Sequence, residues 1–214
     1  MPFDTLVATA IHDAKNSLNL LNAWLDEAER LCPSPPLAQA RGTAAQVAAQ
    51  LTELLVLYRE TQGVLRLSID DQNLPDFIDD LRQEIAPTAR YARVGIEWRV
   101  AAAEAIGTWA FDGWQVRLVL VDALRNALRH ATTHVGFELS AEPSGGLRFT
   151  VSDDGPGFPP ALLAGGEARP GEEGSGLGLR FARLIAQKHA TPDGRHGRLE
   201  LNNDQGARLT LILP

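Results

Sequence analysis

Between residues 4 and 62, apolar positions recur at alternating steps of three and four. Val7, Ile11, Ala14, Leu18, Leu21, Leu25 and Ala28 form one row; Leu37, Ala40, Ala44, Val47, Leu51, Leu54 and Tyr58 form a second. This is the a/d spacing of a coiled-coil-like seam, and it predicts two helices. Cys32-Pro33-Ser34-Pro35-Pro36 lies between them, and its prolines forbid one continuous helix. The product is a helical hairpin. Each helix has one stripe to bury, so two hairpins are expected to pair as a four-helix bundle, making the protein a homodimer.

From about residue 65 the pattern changes to short β-like runs that alternate with helical stretches and turn clusters. Strands are expected over 65–69, 94–100, 108–111, 134–141, 146–152, 198–202 and 207–213. Helices are expected over 75–89, 113–131 and 177–189. Pro75 stands where the first turn of a helix tolerates proline. Gly145-Gly146 and Asn202-Asn203-Asp204-Gln205-Gly206 read as hairpin turns, and Leu209, Leu211 and Leu213 alternate at period two. The fold class is therefore α+β: a hairpin domain over 1–62, then over 63–214 a sandwich of one mostly antiparallel sheet covered by helices on one face.

Composition narrows the chemistry. The chain has 214 residues and a formal net charge of −7, which argues against a nucleic-acid binder. The single cysteine, Cys32, excludes an internal disulfide framework and a multi-cysteine zinc site, and fits a cytoplasmic setting. No apolar run reaches the roughly 18–20 residues that cross a bilayer, and the N-terminus lacks the basic start of a signal peptide. Trp24, Trp98, Trp109 and Trp114 are expected to be packing residues. His134, His189 and His196 lack metal-ligand spacing to any carboxylate or thiol and receive no role.

Three polar motifs carry candidate chemistry. An apolar strand runs into Ser152-Asp153-Asp154-Gly155-Pro156-Gly157-Phe158, where glycines allow close approach of a ligand and a carboxylate can accept from an amino group. Gly174-Ser175-Gly176-Leu177-Gly178-Leu179 opens a helical run, and a helix N-terminus with exposed N–H groups suits phosphate. On the helix over 113–131, Asp122, Asn126 and Arg129 share a face, with His130 one turn below Asn126. A carboxylate and an amide oxygen beside an arginine can hold a hydrated Mg²⁺ and a phosphate chain. Each motif alone also reads as an ordinary turn, hinge or solvated helix face.

Together and in this order the three resemble the N box, G1 box and G2 box of the GHKL ATPase superfamily, which includes histidine kinases, type II topoisomerase ATPase subunits, Hsp90 and MutL. The resemblance covers roughly 65–214. It implies that ATP is bound with Mg²⁺ on Asn126, that Asp153 accepts from the adenine amino group, and that Arg129 and His130 meet the phosphates. It also implies that Gly155, Gly157, Gly174, Gly176 and Gly178 hinge a lid over them. Within the hairpin, Ala10-Ile11-His12-Asp13-Ala14-Lys15-Asn16-Ser17-Leu18 resembles the H box of sensor histidine kinases. His12 lies one step off the Ile11 seam and projects to solvent. Asp13 can hold Nδ1 so that Nε2 attacks, and Asn16 lies one turn on.

The resemblance therefore implies the core of a two-component histidine kinase. His12 takes the γ-phosphoryl of ATP and passes it to an aspartate of a response-regulator receiver domain. Asp13, Asn16 and Asp122 are its supporting catalytic residues. Ser17 replaces the family's usual proline, and Asp122 stands where Asn or Glu is common. The segment 158–173 has no clear counterpart of the phenylalanine-bearing F box. The chain begins eleven residues before His12; the expected form is a core fragment or a kinase that takes its signal from a separate sensor protein. Two other readings compete: a histidine phosphotransferase relay whose GHKL-like domain does no catalysis, and an ATP-driven switch or serine kinase that uses the hairpin only to dimerise.

Overall fold

The computed structural model describes residues 3–32, 34–143, 145–165 and 176–214, with only the backbone described for 3–9, 12, 15 and 35. The chain divides into two compact units, Met1–Arg66 and Leu67–Pro214.

The first unit is a hairpin of α1 (Phe3–Leu31) and α2 (Pro35–Thr61). Ser34 caps α2 in an extended conformation, and proline fills its first turn, where no N–H bond is lost. α1 runs unbroken past Ser17, whose hydroxyl donates to the Asp13 carbonyl at 3.0 Å. Near the tip, Arg41 bridges Glu29 at 2.7 Å and Asp26 at 3.5 Å. Ile11 and Ala44 are buried as the apolar rows require, joined by Thr52, Glu53 and Val56. Leu21, Val47 and Leu54 belong to the same rows yet stand exposed, beside Leu20 and Trp24. A single hairpin covers one flank of each helix, so an a/d row is split between a covered and an open side.

The second unit is a five-stranded sheet in the order β2-β4-β5-β7-β6 with a separate two-stranded ribbon, β1-β3. The strands are β1 (Asp70–Asn73), β2 (Gly95–Arg99), β3 (Thr108–Phe111), β4 (His134–Glu142), β5 (Gly146–Asp153), β6 (Arg198–Asn203) and β7 (Ala207–Leu213). β2 pairs with β4 in parallel and every other pairing is antiparallel. The main helices are α3 (Leu74–Ala92), α5 (Gly113–His130) and α7 (Leu177–Lys188), with short turns at α4 (Ala102–Ile106) and α6 (Pro160–Leu163). Asn73 and Asp112 cap α3 and α5 by accepting from the amides of Asp76 and Gln115.

The apolar sides of helices and sheet close on a phenylalanine cluster. Phe77 of α3 meets Phe111 edge-on at 5.2 Å, Phe149 lies 6.1 Å from Phe111, and Phe137 lies 6.4 Å from Phe149. Ile78, Leu81 and Ile85 of α3 and Leu120 and Leu124 of α5 fill the space around it.

Several expectations are corrected. Residues 65–69 form no strand; the first ladder is Asp70–Asn73, a polar segment paired with Thr108–Phe111. Pairing there rests on a tertiary neighbour and not on strand propensity. Gly146 belongs to β5, and the turn before it ends at Gly145 with φ +81°. Trp98 packs on Phe137 and Trp109 donates to the Pro214 carbonyl, but Trp24 and Trp114 are 63% and 58% exposed and are not packing residues.

His189 also has a role that its sequence context did not disclose. It is buried at the end of α7, Nδ1 bonds the Ile185 carbonyl at 2.7 Å, and Nε2 accepts from the Asp112 N–H at 3.0 Å. These partners select the neutral ring with its proton on Nδ1. Burial pushes its pKa below the ordinary value, against the raising influence of Ile185 and Asp112. The unfolded chain therefore takes up this proton first, so the stabilisation is complete above about pH 6.5 and is lost as pH falls towards the folded value. Urea unfolding of the second unit should weaken between pH 7 and 5.5, and His189→Gln should remove most of that slope. Parallel slopes would exclude His189 as its source.

Candidate nucleotide site

The second unit brings three loop-and-helix junctions to one end. The first is α5, whose Val121, Leu124 and Leu128 are buried and so turn Asp122, Asn126 and Arg129 away from the core. Asn126 donates from Nδ2 to Asp122 Oδ2 at 3.1 Å. An ionised carboxylate only accepts, so the contact fixes the amide and leaves Asn126 Oδ1 available as a hard oxygen ligand. Burial raises the Asp122 pKa, opposed by the charges of Arg125 and Arg129 and by the Asn126 bond. Arg125 is itself pulled below its usual value by burial, with Glu84 and Asp122 opposing.

The second junction follows β5. Asp153 Oδ1 accepts from the Gly155 N–H at 2.9 Å and from Ala207 at 3.4 Å, while Oδ2 accepts no hydrogen bond from the described residues. Asp154 turns the other way. Its carboxylate accepts from the amides of Thr132, Thr133 and His134 at 2.8–3.1 Å and from the Thr133 hydroxyl at 2.5 Å. Those bonds hold its pKa well below the usual carboxylate range. The two adjacent acids thus divide the work: Asp154 ties the loop after α5 to the end of β5, and Asp153 presents a carboxylate oxygen.

The third junction is the start of α7. Gly176 caps it with φ +65°, a left-handed conformation that a side chain resists. Close approach sets the other glycines. A Cβ on Gly155 would lie 2.4 Å from the His130 carbonyl oxygen, and one on Gly178 would lie 2.4 Å from Asp122 Oδ2. Both glycine boxes therefore rest directly on α5, one at its C-terminal end and one at its polar face.

Of the residues singled out in the sequence, the structure brings together Asp122, Asn126, Arg129, His130, Asp153, Gly155, Gly157, Gly176 and Gly178. Gly174 lies outside the described residues. Asp13 and Asn16 are exposed on α1 in the first unit; His12 is on the same helix, and its side chain lies outside the described set. Arg125, Asp154 and Asn203 were missed. Arg125 shows only as one more polar position beside Asn126, and Asp154 only as the second acid of a pair. Asn203 sits in a turn cluster that reads as a connection.

Residues 112–214 match the family model described as histidine kinase-, DNA gyrase B-, and HSP90-like ATPase. The second unit has that ATPase fold. Solved structures similar to the chain include full-length ShkA in complex with AMPPNP, with a TM-score of 0.67 and 20% identity over 97% of this chain. They also include the Acinetobacter baumannii histidine kinase AdeS, with a TM-score of 0.61 and 15% identity, covering 92% of this chain and 95% of that one. The cytoplasmic segment of histidine kinase QseC has a TM-score of 0.56 at 19% identity, covering 79% of this chain and 93% of that one. The chain spans 44% of the length of the ShkA chain. No curated protein sequence matches. At these identities the likeness to the solved structures is one of fold.

The α5–α7 contact is testable on its own. Gly178→Ala should destabilise the second unit by about 1–3 kcal/mol, the usual cost of overpacking. Asp122→Ala should relieve part of that cost in the double variant, because the clash is with its carboxylate. Additive losses in chemical denaturation would show that the contact is not the cause.

Proposed function

We propose that the protein is a histidine kinase core: the second unit binds Mg²⁺-ATP and His12 of the hairpin receives the γ-phosphoryl. The observation that carries this reading is the convergence of Asn126, Asp153 and the two glycine junctions on α5, in a unit with the histidine kinase-like ATPase fold. Each of these features has a task in nucleotide binding. Asp153 Oδ2 accepts from the adenine amino group. The first-turn amides of α7, set by Gly176 and Gly178, face the phosphates with the positive end of the helix dipole. Arg129 and His130 add positive charge at the end of α5.

The donor set fits magnesium. Among the described residues no three His, Cys, Asp or Glu converge into a metal cage. One fixed amide oxygen, Asn126 Oδ1, suits an ion that keeps most of its ligands as water and phosphate. When bound, the ion neutralises charge on the phosphate chain. Asp122 holds the Asn126 amide in place for it.

In the transfer itself His12 Nε2 attacks the γ-phosphorus, an N–P bond forms, and the bond to the bridging oxygen breaks so that ADP leaves with the electron pair. Asp13 orients the ring through Nδ1 and takes up its proton. The phosphoryl then passes to a carboxylate of a response-regulator receiver domain, and Asn16 with Asp13 orients the water that later hydrolyses that acyl phosphate to carboxylate and inorganic phosphate. The exposed apolar row of Leu21, Val47 and Leu54 supports a homodimer through a four-helix bundle. The signal reaches this core from a sensor carried either on a longer chain or on a separate protein, and the setting is cytoplasmic.

Incubation with labelled Mg²⁺-ATP should yield a phosphoprotein stable to alkali and lost in mild acid. His12→Gln should abolish the label and keep ATP binding, since the two sites lie on different units. Asn126→Ala should abolish it through the metal. Acid-stable label, or label that persists in His12→Gln, would reject a histidine kinase. Asp153→Ala should weaken ATP binding by about 1.5–3 kcal/mol, roughly ten- to a hundredfold, the loss of a charge-assisted hydrogen bond. Sedimentation should show a dimer for the whole chain and a monomer for residues 64–214; a monomeric whole chain would remove the bundle.

A further inference from the structure

The β6–β7 turn lies far along the chain from the glycine-bearing turn after β5, yet it grips that turn at both ends. At one end the Ala207 N–H points to Asp153 Oδ1 at 3.4 Å, and Gly206 runs so close that a Cβ on it would overlap the Asp153 carbonyl. At the other end the Asn203 side chain bonds both polar groups of one backbone residue. Its Oδ1 accepts from the Phe158 N–H at 2.8 Å, and its Nδ2 donates to the Phe158 carbonyl at 3.0 Å. A side-chain amide used in this way substitutes for the neighbouring strand that Phe158 lacks.

The contact also explains the residue beside it. Gly157 has φ +81°, and a Cβ there would lie 2.7–2.8 Å from Cγ, Nδ2 and Oδ1 of Asn203. Bare backbone at 157 is the space in which the Asn203 amide lies. Phe158 is followed directly by Pro159 and α6. The clamp on Phe158 fixes where the turn after β5 ends, and the contacts at Asp153 fix where it begins and where the base is held. One turn therefore registers both.

We infer that Asn203 is a positioning residue for nucleotide binding: its amide clamps the Phe158 backbone over Gly157 and holds the Asp153–Phe158 turn in its binding shape. This rests on the nucleotide reading above. Asn203 acts through the turn and touches no nucleotide atom.

The test uses the whole chain, Mg²⁺-ATP as ligand, and amide hydrogen exchange at Phe158 as a readout independent of nucleotide. Asn203→Ala should weaken ATP binding roughly tenfold, as expected for two lost hydrogen bonds, and lower the unfolding midpoint of the second unit only slightly, with the unit still folded. Phe158 N–H should be protected in the wild type and exchange freely in Asn203→Ala. Asn203→Asp keeps the acceptor for Phe158 N–H and loses the donor to its carbonyl, so its affinity should fall between the two. Gly157→Ala should expel the amide, and adding Asn203→Ala to it should cost nothing more. Unchanged affinity in Asn203→Ala, multiplying losses in the double variant, or an unprotected Phe158 in the wild type would each overturn the clamp. A wild type that protects Phe158 but binds no ATP would instead overturn the nucleotide reading on which the clamp's purpose rests.

Discussion

Asp154 holds the site together. By accepting three successive backbone amides, from Thr132, Thr133 and His134, it joins the end of α5 to the end of β5 where sheet pairing has run out. An amide turn this exposed would otherwise be bonded to water and free to shift. Once it is fixed, the His130 carbonyl lies against Gly155, Asp153 Oδ1 accepts from the Gly155 N–H, and the polar face of α5 becomes one wall of the site. The same helix receives α7 through the contact of Gly178 with Asp122. Both glycine junctions thus rest on α5, which is seated on the core by its buried apolar face, capped at its start by Asp112, and followed by the loop that Asp154 holds.

Asp112 shows how the two ends of the second unit are related. Its Oδ1 caps α5, its Oδ2 accepts from the Ser68 N–H, and its own N–H donates to His189 at the close of α7. One buried residue therefore bonds the segment that enters the unit, the start of α5 and the end of α7. Such a group can be neither lost nor left half-bonded without exposing buried donors. The helix with the polar site face, α5, and the helix that Gly176 opens, α7, are tied at one end through Asp112 and at the other through Asp122 and Gly178.

Much of this was legible in the residues themselves. Period-3.5 rows predicted the hairpin, period-two rows predicted β7, and the spacing of Asp122, Asn126 and Arg129 placed them on one face of a helix. These are local regularities, and a local rule reads them. The DxGxG and GxGxG clusters were visible as motifs because glycines gather where backbone runs close against its neighbours, as Gly155 does on His130 and Gly178 on Asp122.

What the chain order could not disclose is whatever depends on a partner distant along the chain. The polar ladder of Asp70–Asn73 exists because Thr108–Phe111 lies alongside it, and no propensity of its own predicts it. Of two adjacent aspartates, only the packed fold separates Asp154, spent on backbone amides, from Asp153, whose Oδ2 accepts no hydrogen bond among the described residues. Part of the hairpin's apolar rows, Leu21, Val47 and Leu54 among them, stays uncovered because one chain supplies a single flank to each helix. Asn203 reads as turn filler until Phe158, 45 positions away in sequence, is brought within 3.0 Å of its amide. Sequence alone settled which faces are apolar and which residue types can do the chemistry, since side-chain character and helical or strand period are local. Which polar groups are spent on the fold and which remain for function was decided by tertiary structure, because a hydrogen bond needs both partners in place.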